Sequence, residues 1–175
     1  MTEPGDPAQP ADPGDAAPPA EPGDGALPAE FVHEVGRIFS ERIPFNHVLG
    51  LELVSFSRER ARFRFEMRDE LVGNYVRRTL HGGVISAALD VTGGLAALLG
   101  ALQREDRSRA EKLELFGRLG TIDLRVDFLR PGSGKHFETT GYVLRAGSRV
   151  VVTRTEMRND EARIIAVGTG TYIVA

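Results

Sequence analysis

A chain of 175 residues, 41% of them apolar, has room for one domain with a true core and an appendage. It has no cysteine, which excludes a disulfide framework, a zinc cluster of thiolates and a thiol nucleophile. The net charge of −3 is uneven: residues 1–30 carry seven acids and no Lys or Arg, which leaves 18 acids against 22 bases for the rest. A mildly basic body suits an anionic small molecule and is too weakly basic to argue for nucleic acid.

Residues 1–28 are almost wholly Pro, Gly, Ala, Asp and Glu. Such a segment buries too little surface to offset its ordering entropy and reads as a disordered acidic tail ahead of one domain over 29–175. The opening "MTEPGDPAQP" lacks the positive and apolar regions of a secretory signal, so the cytoplasm is the expected location. Phe31, Val35, Ile38 and Phe39 recur at helical spacing and predict a short amphipathic helix ending before Pro44. "PFNHVLG" then turns the chain.

Strands follow over 49–57 and 60–68. In the second, Ala61, Phe63, Phe65 and Met67 alternate with Arg60, Arg62, Arg64, Glu66 and Arg68, the period of a half-buried strand. The two form a hairpin through "SRER". The loop "DELVGNYVRRT" leads into a long apolar helix, about 81–101. The polar stretch 103–120 reads as loop with a helical turn or more. Four strands complete the chain, over 121–131, 135–147, 148–159 and 162–175. Ile122, Leu124, Val126 and Phe128 are expected to line one face of the first. The short turns "RAGSR" and "RNDEA" make their flanking strands antiparallel neighbours.

This order is α+β. A helix apolar nearly all round must be wrapped by something, and an antiparallel sheet of five to six strands curled around it does so. The sheet's open edges invite pairing with a second subunit. A transmembrane reading of 82–102 fails on its five glycines and on Asp90 near the centre. An acid at that depth costs roughly 2.5–3.5 kcal/mol on insertion scales.

The helix also reads as a site. His81-Gly82-Gly83 opens it, where unpaired backbone N–H groups and the positive dipole end favour a developing oxyanion. Glycine there admits a substrate close to the backbone. Asp90, a carboxylate partly withdrawn from water, is a candidate general base or nucleophile. Asn74, Arg77 and Arg78 precede the helix, and Thr121 opens the strand after it. Gly83 and Asp90 lie seven residues apart on one face, roughly 10 Å along the axis, so one carbonyl cannot touch both ends of one helix. Two such helices meeting about a two-fold axis bring Gly83 of one to Asp90 of the other. Read without a site, Asp90 bonds a neighbouring hydroxyl such as Thr92, the paired glycines make a turn, and His81 packs. His33, His47 and His136 have no partner pattern for a metal, and Ser86 sits outside any GxSxG elbow.

"LHGGVISAALD" resembles the signature of the PaaI-type hotdog-fold acyl-CoA thioesterases, in which HGG opens the central helix and an acid follows nine residues after the His, as Asp90 follows His81. "IPFNHVLGLEL", "LVGNYVRRTLHGGVISAALDVTGGLAA", "GTIDLRVDFLRPG" and "YVLRAGSRVVVTRTEMRNDE" extend the likeness over residues 31–175, towards the YigI-like branch. The resemblance implies a hotdog fold in homodimers or dimers of dimers. It implies hydrolysis of acyl-CoA, of medium to long chain in that branch; no cofactor, metal or membrane span is expected. By motif position Asp90 is the general base or nucleophile, and the Gly82 N–H of the opposite subunit polarises the thioester carbonyl. Asn74 positions substrate or water, and Thr121 orients the attacking water. His81, Gly83, Arg77 and Arg78 border the substrate. The two arginines are read chiefly as solvated loop charges, with CoA phosphates as their functional partner. Many relatives place the Asn six residues before the His with Gly between. Here Asn74 is seven before, residue 75 is Tyr, and Arg77-Arg78 replaces the small segment. A non-catalytic acyl-CoA or acyl-carrier binding module on the same fold is the main alternative. A hotdog hydratase or dehydratase ranks third, since no second His motif is set for it.

Overall fold

The computed structural model describes residues 29–58, 60–102 and 109–174. The tail expected over 1–28, and the first part of the polar stretch after the long helix, lie outside these residues. α1 (Ala29–Arg37) runs into a single π turn, Ile38–Arg42. Val35 and Phe39 of this stretch are buried, as the helical spacing predicts. "PFNHVLG", expected as a turn, forms the short helix α2 (Pro44–Leu49). Pro44 starts it with a pre-set φ, and Gly50 ends it in the left-handed region at φ 68°, its N–H bonded to His47 O at 3.1 Å.

β1 (Glu52–Phe56) and β2 (Arg60–Glu66) form the expected antiparallel hairpin. Ala61, Phe63 and Phe65 of β2 point into the core and Arg62 and Glu66 out. The loop expected after β2 instead holds a two-stranded ribbon, β3 (Val72–Asn74) and β4 (Thr79–Leu80). It packs on the start of α3 (Gly82–Leu102), where a methyl at Gly73 would lie 2.5 Å from His81 Cα. α4 (Arg109–Arg118) then leads to β5 (Gly120–Phe128), β6 (His136–Ala146), β7 (Val150–Asn159) and β8 (Ile164–Ile173).

The six long strands make one antiparallel sheet in the order β1-β2-β6-β7-β8-β5. The tight turns give β6–β7 and β7–β8 as neighbours, as predicted. β5 does not pair with β6, the next strand in sequence. It crosses to the far edge and pairs with β8, Leu124 against Gly170 and Val126 against Gly168. The connection follows on, with the N–H groups of Leu129 and Arg130 both bonded to Ile165 O.

A bulge corrects the expected face of β5. Thr121 pairs with Tyr172 and Asp123 with Thr171, so Ile122 is the extra residue. Unbroken alternation would set Ile122 inward and turn Thr121 away. The inserted residue brings Thr121 onto the same face as the buried Tyr172, the re-aiming that bulges provide. Ile122 is 56% exposed and Phe128 55%, on a strand that pairs with β8 on one side and is the edge of the sheet on the other.

α3 lies in the hollow of the sheet, and every residue from Thr92 to Ala101 is buried. It is long and apolar enough to cross a bilayer, but most of its apolar stretch is enclosed by the protein's own core. Leu89, Leu95 and Leu98 meet that core together with Phe63, Phe65, Phe137 and Met157. Full burial of each such side chain stabilises by about 1.5–3 kcal/mol. The helix lies close against the sheet at Gly141, where a Cβ would stand 3.0 Å from both the carbonyl oxygen and Cγ2 of Thr92.

Candidate active site

Asp90 stands on α3 just before the fully buried run begins, and is itself half-buried. Its carboxylate is held from two strands. Thr121 Oγ1, turned inward by the β5 bulge, donates to Asp90 Oδ1 at 3.0 Å. The Tyr172 hydroxyl lies 3.2 Å from the same Oδ1 and 3.1 Å from the Asp90 backbone carbonyl oxygen, a shared donation to both. Asp90 Oδ2 has no hydrogen-bond partner among the described residues. One oxygen is fixed and the other is open.

Sequence reasoning missed Tyr172. It is 1% exposed, on the strand paired with Thr121. Burial foremost, then the charge of Asp90 and the hydrogen bond to it, push the phenol far above its ordinary ionisation range; the Thr153 hydroxyl acts the other way. Tyr172 is therefore a neutral donor at physiological pH. Space for it exists because α3 has no side chain at Gly93, where a methyl would meet Tyr172 Oη at 2.3 Å and Thr153 Oγ1 at 2.9 Å. The sequence held one signal, a glycine in an otherwise well-formed helix three residues after the acid.

The other end of α3 has open donor capacity. Gly83 N–H is taken by His81 Nδ1 at 2.9 Å. The N–H groups of Val84 and Ile85 bond to His81 O at 3.0 and 3.3 Å. Among the described residues, the Gly82 N–H alone of the first four in the helix has no acceptor. The Phe128 ring lies beside Gly82, about 3.4 Å from where a Cβ would stand. His81 thus caps its own helix, and the accepting Nδ1 leaves the ring proton on Nε2.

Asn74 Oδ1 accepts from Val76 N at 3.1 Å and Arg77 N at 3.0 Å, which folds the ribbon tip and leaves its amide nitrogen without a partner among the described residues. Arg78, at φ 50°, pairs with Asp69, and Arg77 is exposed. The structure therefore brings Asp90 and Thr121 together. His81, Gly82 and Gly83 sit seven to nine residues and roughly 10–14 Å away along the helix axis, with Asn74, Arg77 and Arg78 on the ribbon packed there. No group of three His, Asp or Glu among the described residues is arranged to hold a metal ion. A cavity of about 400 Å³, lined by Arg130, Lys135, Asn159 and Arg163 among others, includes none of these site residues.

Comparison with known proteins bears on this geometry. Residues 78–166, which include α3 and β5–β7, match the thioesterase superfamily. The chain is 45% identical over 141 residues to the medium/long-chain acyl-CoA thioesterase YigI of Escherichia coli, covering 80% of this chain and 91% of that one. It resembles a crystal structure from Shewanella oneidensis, related to the thioesterase superfamily, with TM-score 0.80 and 42% identity, covering 84% of this chain and 97% of the other. A candidate thioesterase from Syntrophus aciditrophicus superposes with TM-score 0.76 and 48% identity, covering 83% and 97%. The chain belongs to the thioesterase superfamily, and its sheet wrapped around α3 is the hotdog fold.

Proposed function

We propose that the protein is an acyl-CoA thioesterase that hydrolyses medium- to long-chain acyl-CoA to free fatty acid and CoA, in a site shared between two subunits. The observation that carries this reading is the carboxylate of Asp90, fixed through Oδ1 by Thr121 and Tyr172 with Oδ2 open. The relation to the Escherichia coli enzyme supports the substrate class.

Water bound at Oδ2 gives a proton to Asp90 as its oxygen attacks the thioester carbonyl carbon. The resulting oxyanion needs a preorganised donor. The Gly82 N–H is unpaired, but in the same chain it lies too far from Asp90 to serve. β5 offers a solution. Its Thr121 end bonds Asp90 and the ring at its Phe128 end lies beside Gly82. Antiparallel pairing of β5 with its two-fold copy, centred near Leu124 and Arg125, sets Thr121 against Phe128 of the partner subunit. Asp90 then faces Gly82 of the partner subunit. The same pairing covers the open edge and the exposed Ile122 and Phe128. Collapse of the intermediate expels the CoA thiolate, which takes the proton back from Asp90. Direct attack by Asp90, through an acyl anhydride that water then opens, uses the same groups. The free amide of Asn74 serves to orient substrate or water, and the exposed Arg77 is available to a CoA phosphate.

Asp90→Asn keeps the hydrogen-bonding shape and removes the base. Turnover across an acyl-CoA panel from acetyl to palmitoyl should fall at least a hundredfold, the upper range of general-base contributions being ~10⁴, with the melting temperature little changed. Parental turnover by Asp90→Asn excludes the mechanism. Clear acyl-CoA binding by the parent without hydrolysis at any chain length favours a binding module instead.

A further inference from the structure

We propose that Tyr172 is a positioning residue for hydrolysis, fixing the carboxylate of Asp90 so that Oδ2 alone is presented to water and thioester; this rests on the reading of Asp90 as the reactive acid. Three observations converge on it.

The first is the shared contact. The phenol touches both the backbone carbonyl and Oδ1 of one residue, at 3.1 and 3.2 Å. Together these set the side-chain torsion of Asp90 relative to its own helix. Thr121 is exposed and reaches Oδ1 from the mouth of the site. Tyr172 reaches it from the interior. The carboxylate is gripped from both sides and loses the freedom to rotate.

The second is that room has been made for the hydroxyl. Gly93 on α3 leaves it space, and on the strand a methyl at Gly170 would lie 2.6 Å from both Oη and the ring. The ring packs with Ala97, Ala101, Val151 and Val174. A phenylalanine would satisfy that apolar pocket. The hydroxyl is extra, and burying it without a partner would cost free energy. Asp90 is the partner it has.

The third is the proton direction. The phenol stays neutral and donates. Thr153 Oγ1, buried and without a hydrogen-bond partner among the described residues, stands with the phenol oxygen at the gap left by Gly93. A hydroxyl behind the phenol favours the arrangement in which the Tyr172 proton points to Asp90.

Misplacing a reacting group by about 1 Å can cost a hundredfold. Tyr172→Phe should therefore lower kcat for a good acyl-CoA substrate by roughly ten- to a hundredfold, with KM within about twofold and the melting curve still cooperative. Gly93→Ala keeps the tyrosine but drives its hydroxyl off Asp90, and should give the same split between kcat and KM. It decides the matter if Tyr172→Phe does not fold. Asp90→Ala, assayed alongside, separates the two readings. If Asp90→Ala turns over as the parent does, the account of the site fails and this proposal with it. If Asp90→Ala is inactive while folded Tyr172→Phe or Gly93→Ala keeps the parental kcat, the role of Tyr172 alone is overturned. A rise in KM at constant kcat also overturns it, since that describes a residue of the binding surface.

Discussion

Asp90 was legible as a candidate because it is the lone acid of a long apolar stretch, and a charge in such a place requires a reason. Thr121 was legible only through its position at the start of the following strand. Tyr172 was not legible: a tyrosine near the end of a β-strand is ordinary core material, and 82 residues separate it from its partner. Only the structure shows the bulge that turns Thr121 inward and the glycine that admits the phenol. His81 divides the helix N-terminus by taking the Gly83 N–H, a distinction the letters HGG do not carry. The burial of Tyr172 has a consequence for stability. Its ionisation is pushed up in the folded state from an ordinary value of 10.0. Its contribution is therefore fully present below pH 10 and is lost as pH rises from there towards the folded value. Urea unfolding of the parent between pH 9 and 11 should show stability falling at the alkaline end. Tyr172→Phe should flatten that slope, and an unchanged slope contradicts the assignment.

At the scale of elements, periodicity identified α1 and β2, each with one face in the core and one outside. It could not place β5 beside β8, because register between strands distant in sequence is set by the assembled sheet. Leu124 and Val126 lie opposite Gly170 and Gly168. The β3–β4 ribbon escaped notice because strands of three and two residues carry no period. The seam between α3 and the sheet is closely packed at its glycines. A side chain at Gly141 meets the Thr92 carbonyl oxygen and Cγ2 at 3.0 Å and Thr155 Cγ2 at 3.3 Å, and the first of these is backbone. Gly141→Val should destabilise by about 1–3 kcal/mol, the usual cost of overpacking. The shift in urea midpoint at constant m-value measures it. A midpoint equal to the parent's means that helix and sheet are less closely apposed than the structure describes.

For the whole molecule, the proposed mechanism uses two groups of one chain, Asp90 and the Gly82 N–H, that lie about 12 Å apart along the helix axis. A second copy paired along β5, as proposed above, would bring them together twice, which is why a shared site is the central claim. Complementation tests it. Gly82→Pro removes the unpaired N–H at the first helical position, where proline is tolerated. The nearest outside atoms to a Cβ there are in the Phe128 ring, at 3.4 Å. Alone, Gly82→Pro should lose about 10²–10³ in kcat, as removal of an oxyanion donor does, and Asp90→Asn should be inactive too. Co-expressed in equal amounts, the two variants should form mixed dimers in which one site carries both defects and the other carries neither. Purified mixtures should then recover about a quarter of the parental activity per subunit, the share set by random two-fold pairing. Recovery to that level is the predicted result. Mixtures that stay as inactive as either variant, while forming mixed dimers, contradict a site built from two subunits.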